Sequence, residues 1–291
     1  SHESKELPMN EFELIAPSHF GLEAVMKREV LDLGFTILNV EDGKVHFLSD
    51  PSGIARANMF LRTAERVLLK AAEFRAETFE ELYEGIRGVD WKAFIPEDGK
   101  VWVTKANSVR SKLFSPSDIQ SVVKKAIVDK MMEQYRTGTI EESGAAYPLR
   151  ISLMKNIVTV GIDTSGVSLH KRGYRTDSVK APISETLASA LISLTPWKGD
   201  RILVDPFCGS GTFTIEAAMM AADMAPGMNR EFLSEGWTNL VPKRAWYDAA
   251  NEALSQVKQN VECDIQGYDI DPHAVRAARE NAERAGVARL I

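Results

Sequence analysis

The chain has 291 residues, 44% of them hydrophobic and 26% charged, with a net charge of −6. That length allows about two domains with proper cores, and the composition is that of an ordinary globular protein. No apolar run approaches a membrane span, no signal-peptide pattern opens the chain, and Cys208 and Cys263 alone give neither a disulfide framework nor a zinc cluster, so a reducing cytoplasm is the expected location.

Residues 12–16 read as a strand and 21–31 as an amphipathic helix, which Gly34 stops. Residues 35–40 and 44–48 follow as strands around the Glu41-Asp-Gly43 turn. Residues 54–60 and 78–85 are predicted helices, with a strand over 66–74 between them, and 101–106 is another strand. A long helix is predicted over 117–135, capped at or near Ser117 after Pro116, with Ile119, Val122, Val123, Ala126 and Ile127 at helical spacing. Residues 150–154 and 157–163 form a hairpin across Lys155-Asn156. Up to about residue 165 this is an α+β pattern; the βα pattern beyond it points to a parallel sheet.

The most informative βα unit begins at Ile202. The run 202–204 ends at Asp205, the loop Asp205-Pro-Phe207-Cys208-Gly209-Ser210-Gly211 follows, and Thr212 opens an apolar helix. Strand, Gly loop and helix make the nucleotide-binding edge of a doubly wound sheet. Side chains at Gly209 and Gly211 would block a ligand's approach to the backbone, and a helix starting near Thr212 offers it unpaired N–H groups. A phosphate loop needs Lys after the second Gly, and a dinucleotide loop needs Gly where Thr214 stands. The spacing from Asp205 to Gly211 resembles instead the first motif of S-adenosylmethionine methyltransferases. Gly267-Tyr-Asp269-Ile270-Asp-Pro272 resembles their second, where an acid holds the ribose hydroxyls. Cys208 reads as a small residue beside the ligand, with a nucleophile as the lesser alternative. His19, His46, His170 and His273 lack ligand spacing, and no metal site is predicted.

Charge is uneven along the chain. Residues 100–180 hold 14 Lys and Arg against 7 Asp and Glu, while the remainder holds 21 against 34. An acidic chain with a basic middle suits a protein that touches a polyanion with one part; a solvated helix face is the alternative.

Several segments together resemble the bacterial THUMP-containing RNA methyltransferases, often labelled adenine-specific DNA methylases. They are "LRTAERVLL" (61–69), "FEELYEGIRGVDW" (79–91), "SVRSKLFSPSDIQSVVKKAI" (108–127), "GIDTSGVSLHKRGYR" (161–175), "APISETLASALI" (181–192) and the two cofactor motifs. The resemblance covers nearly the whole chain and implies a fold class: α+β ferredoxin-like and THUMP modules, then an α/β Rossmann-like (class I) methyltransferase domain. The expected limits are 10–55, 56–165 and 166–291. It also implies S-adenosylmethionine as cofactor and structured RNA as partner, with an exocyclic amine of guanine in large-subunit rRNA as target.

On the cofactor side the resemblance implies that Phe207 to Thr212 line the methionine part and that Asp205 meets the amino group. It gives Asp269 the ribose, sets Ile270 against adenine, and has Pro182, Ser184 and Glu185 close over the other side. On the RNA side Lys105, Arg110, Lys112, Lys124, Lys125 and Lys130 lie in the THUMP-like part, where they would contact phosphates. Lys171, Arg172, Tyr174 and Arg175 form a second cluster. Tyr174 is placed to stack on a base, or the whole cluster is a buried hinge between modules. Asp271 is expected to cap the helix that follows.

Catalytic residues are not identified. Enzymes of this chemistry carry an Asn/Asp-Pro-Pro-aromatic segment after the fourth strand, and no Pro-Pro pair occurs in the chain. The expectation is that the methyltransferase domain is incomplete at its C-terminus, with an uncovered sheet edge, and that this chain alone is inactive. Two alternatives stand beside RNA methylation: a DNA adenine methyltransferase, and a non-catalytic RNA-binding or assembly protein with a vestigial cofactor pocket. Oligomeric state is not legible.

Overall fold

The computed structural model describes residues 11–176 and 182–291, so Ala181 and the end of the 161–180 region fall outside the described residues. The first half runs β1 (Phe12–Pro17), α1 (Glu23–Asp32), β2 (Thr36–Glu41), β3 (Lys44–Ser49), α2 (Pro51–Phe60), β4 (Leu68–Arg75), α3 (Phe79–Arg87), β5 (Lys100–Val109), α4 (Pro116–Tyr135), β6 (Ala146–Met154) and β7 (Ile157–Asp163). The second half has α5 (Glu185–Ser193), β8 (Leu203–Asp205), α6 (Thr212–Ala221), α7 (Lys243–Gln256), β9 (Ile265–Gly267) and α8 (Pro272–Ala285). Among the described residues, no helix is long and apolar enough to cross a membrane.

Local chemistry explains most of these boundaries. Gly34 takes φ +90°, the left-handed turn that ends α1. Lys155 and Asn156 both have positive φ, as a two-residue hairpin between β6 and β7 requires, and the Asn156 side chain is held by the Lys112 N–H. The long helix starts earlier than expected. Ser115, not Ser117, is the N-cap; its Oγ accepts from Asp118 N, and Pro116 fills the first helical position, where its missing N–H costs nothing.

Strands β1 to β7 form one sheet in the order β2-β3-β1-β4-β7-β6-β5. Only β5 and β6 pair in parallel, with α4 as their crossover. The two N-terminal modules are therefore one continuous sheet, joined where β1 meets β4 through the pairs Leu14–Leu69 and Ile15–Leu68. β8 and β9 pair in parallel in a separate two-stranded sheet. Helices α6 and α8 pack together beside it around Ile215, Ala218 and Ala282.

The stretch between α6 and β9 had no expected role, and it packs on the N-terminal core instead of the cofactor-binding unit. Trp237, Val241, Trp246 and Ala249 belong to the same core as the large sheet. Trp237 stacks on Tyr147 of β6 with ring centres 4.9 Å apart, and its Nε1 donates to Ala146 O at 2.7 Å. Helix α7 lies on α2, where Arg56 makes a two-pronged pair with Glu252 at 2.9 and 3.0 Å.

Candidate cofactor site

The loop from Asp205 to Thr212 joins the end of β8 to the start of α6, and its shape is fixed by partners on β9 and α8. Tyr268 N donates to Asp205 O at 2.9 Å, and Cys208 N donates to Tyr268 O at 2.8 Å. Asn281, buried on α8, donates to Ser210 O at 3.0 Å. Gly209 and Gly211 both have positive φ, +53° and +88°. Their surroundings differ: a Cβ on Gly211 would sit 3.1 Å from Ala278 Cβ, whereas one on Gly209 would project into open space. Gly211 thus serves helix packing, and Gly209 leaves a cradle that a side chain would fill.

Asp269 closes this cradle. One carboxylate oxygen accepts from Gly209 N at 3.0 Å and the other from Asp271 N at 2.9 Å. Each oxygen retains a second lone-pair position for a ligand hydroxyl. Asp205 Oδ1 accepts from Phe207 N at 3.0 Å, which turns the loop after the strand. Phe207 and Ile270 stand almost bare at the rim, at 86% and 101% exposure, as apolar surfaces that a planar ring would cover. The N-cap of α6 is Gly211, which has no side chain to satisfy the first-turn N–H groups. Asp271 caps α8 as expected, accepting from His273 N. Burial, then Asp205 and Asp269, push the Cys208 thiol up, which opposes a thiolate nucleophile.

Ser184 is the N-cap of α5, accepting from Leu187 N, and Pro182, Ser184 and Glu185 line a hollow of about 390 Å³ with residues 170–175, whose lining includes no residue of the Asp205–Thr212 loop. Ser184 and Thr186 also meet His19 and Glu65, so the start of α5 is tied to the N-terminal module. Burial raises the Glu65 carboxyl's pKa, but hydrogen bonds from His170 and Thr186 and the charges of His19 and His170 outweigh it and hold it at about 2.

The structure corrects the second basic cluster. Arg172 and Tyr174 are both 3% exposed and face inward. Arg172 donates to Glu216 of α6 at 2.9 Å, to Leu169 O and to Arg62 O, and Tyr174 donates to the other Glu216 oxygen at 2.9 Å. Burial, then the Glu216 carboxylate, push the Tyr174 hydroxyl well up, so it stays a donor. Glu216 is fully buried, and a buried carboxylate needs a cation and hydrogen-bond donors to be tolerated. That demand draws Arg172 and Tyr174 inside and leaves no ring face for a base; of the two readings, the hinge is the one observed. Glu216 inside the apolar run of α6 was the signal for this pairing. Arg175 pairs with Glu185 at 2.8 Å, and Lys171 alone of the cluster's Lys, Arg and Tyr residues is exposed.

Among the THUMP-region cations, Lys105 is exposed midway along β5 and Arg110 and Lys112 are exposed just past its end, with Lys112 3.4 Å from Glu77. Lys125 is exposed, over the Tyr83 ring and 3.3 Å from Asp129, and Lys130 is half-buried. Lys124 is engaged by Glu142 and the Val101 carbonyl, which removes it from the free cations. Trp102 and Phe114, exposed at 42% and 77%, lie in the same region and were not singled out from the sequence.

Three family models match successive parts of the chain. A model described as "RlmL ferredoxin-like domain" matches residues 13–68, "THUMP domain" matches 76–163, and "RMKL-like, methyltransferase domain" matches 172–291. A Bacillus subtilis (strain 168) protein described as "Putative RNA methyltransferase YpsC" is 47% identical over 285 residues, spanning 97% of this chain and 73% of that protein. The chain belongs to the THUMP-containing, RMKL-like methyltransferases. Its α+β ferredoxin-like and THUMP modules precede a Rossmann-like methyltransferase domain. Two solved structures share this arrangement. A "predicted N6-adenine-specific DNA methylase" from Listeria monocytogenes str. 4b F2365 has a TM-score of 0.93 and 46% identity, covering 97% of this chain and 74% of that one. SMU.472, "a putative methyltransferase complexed with SAH", has a TM-score of 0.91 and 41% identity, covering 96% and 74%.

Proposed function

We propose that this methyltransferase transfers a methyl group from S-adenosylmethionine to an exocyclic amine of a base in structured RNA, with guanine of large-subunit rRNA as the target. Its cofactor is S-adenosylmethionine, whose sulfonium supplies an activated methyl group to a nucleophilic nitrogen. The observation that carries the reading is the Asp269 clamp on a Gly209 cradle at a strand–loop–helix edge, built onto a THUMP domain. Asp269 holds the ribose hydroxyls, Ile270 covers the adenine, and the Cys208–Thr212 backbone lines the methionine part. Catalysis is then chiefly positioning, with the amine held in line with the transferred methyl. Lys105, Arg110, Lys112 and Lys125 supply salt-dependent affinity for phosphates, and Lys171 extends that surface toward the catalytic domain.

DNA methylation shares the cofactor site but gives the THUMP domain no task. Equal lengths of structured rRNA and duplex DNA, compared in gel-shift titrations with this chain, separate the two. The expected result is tighter binding to RNA. Nucleoside mass spectrometry after incubation of undermodified rRNA with labelled cofactor identifies the base. Preference for duplex DNA, or N6-methyladenine as the product, would overturn the assignment.

A further inference from the structure

Arg175 joins the start of α5 to the start of α6, the helix that follows the cofactor loop. Its Nη2 lies 2.8 Å from Glu185 Oε1 at the start of α5 and also donates to Thr212 Oγ1 at the start of α6. Its Nε and Nη1 are buried with no hydrogen-bond partner among the described residues. A guanidinium carries five donors in a rigid fork, and leaving buried donors unmatched is costly. Other groups nearby are unmatched too. Ser210 is 4% exposed and its Oγ has no partner among the described residues, and the adjoining end of α6 lacks a side-chain cap. The guanidinium and the positive end of α6 both favour an anion here.

The amino-acid end of the cofactor is a zwitterion, one carboxylate and one ammonium. Arg175 and Glu185 are the complementary pair, satisfied by each other in this structure. We propose that Arg175 binds the α-carboxylate of the cofactor's methionine end, and that Glu185, in place of the expected Asp205, faces its ammonium group. This assigns Arg175 to the cofactor and removes it from the RNA surface. A lysine would be a poor replacement, because one ammonium cannot reach Thr212, Glu185 and a carboxylate with fork geometry. The proposal rests on this site's holding S-adenosylmethionine, so its test separates the amino-acid end from the rest of the ligand.

Calorimetry would compare S-adenosylhomocysteine with 5′-methylthioadenosine, which keeps the adenosine and thioether but has no amino-acid end. For Arg175→Met the expected result is about a ten- to hundredfold loss for S-adenosylhomocysteine, the scale of a hydrogen bond to a charged group. Methylthioadenosine should stay within about twofold, because it makes no charged contact of that strength. Arg175→Lys should fall between. If Arg175→Met does not fold, because Glu185 is left unpaired, Arg175→Met with Glu185→Gln removes both charges and takes the same two titrations. Equal losses on both ligands would reduce Arg175 to a structural role, and no loss on S-adenosylhomocysteine would overturn the contact. Failure of the unsubstituted chain to bind either ligand would overturn the cofactor site, and this proposal with it.

Discussion

Replacing Glu216 with alanine removes the anion around which the module junction is built. Glu216 is fully buried and receives hydrogen bonds from Arg172 at 2.9 Å, Tyr174 at 2.9 Å and Ser189 at 2.7 Å. The Arg172 side chain, 2% exposed, would be left as a buried cation with only the carbonyls of Leu169 and Arg62 as strong acceptors. Removing one partner of such a pair costs about 3–5 kcal/mol, a large share of a typical folding stability of about 5–15 kcal/mol. The assay is urea denaturation followed by far-UV circular dichroism, with Arg172→Met and the double variant Arg172→Met/Glu216→Leu completing a cycle. The double variant should recover part of the loss, since two apolar side chains leave no unpaired charge, and the coupling should reach about 1–3 kcal/mol. A loss below about 1 kcal/mol for Glu216→Ala, the size of an exposed pair, would refute the reasoning. Arg172 would then be free to leave the interior and would return to the RNA-binding candidates.

Asp269→Ala should weaken S-adenosylhomocysteine binding by about tenfold or more, since it removes the proposed ribose acceptor and frees Gly209 N; calorimetry checks this. Gly211→Ala should cost about 1–3 kcal/mol in thermal melting, because alanine must take φ +88° with its Cβ 3.1 Å from that of Ala278. The Glu65 carboxyl, held at about 2 against its usual 4.5, contributes stability that is complete above pH 4.5 and is lost as pH falls toward 2. An acid titration of stability should therefore lose amplitude in that window in Glu65→Gln. Replacing Lys105, Arg110 and Lys112 together with alanine should lower the slope of log affinity against log salt by about 0.7 to 0.9 for each phosphate contact removed, measured by RNA titration at several ionic strengths.

What was legible in the sequence was what is local. The Asp205-to-Gly211 loop, the Asp269 strand end and the Asp271 cap are each set by residues within a few positions, and each has its expected place in the fold. The strands and helices before residue 165 were legible for the same reason, and the error at the long helix was two residues of cap placement. What escaped was set by partners far along the chain. Trp237 and Trp246 carry no local sign that they belong to the core of the large sheet, and the α7 region was left without a role. Likewise a count of Lys and Arg cannot tell Lys105, which is exposed, from Lys124, which Glu142 holds, or from Arg172, which Glu216 draws inside. A basic cluster beside a helix with a buried acid is better read by finding the acid's partner first. Here that partner, Arg172, also donates to Arg62 O, and Arg62 donates to Met224 O just beyond α6. Arg62 is also joined to α1, its N–H donating to Glu29, so the helix that starts at the cofactor loop is fastened at its far end to the N-terminal module. That module shares one continuous sheet with the THUMP part, so an RNA bound there would meet a cofactor loop whose position is already fixed relative to it. That fixed distance is what a reaction depending on in-line placement requires.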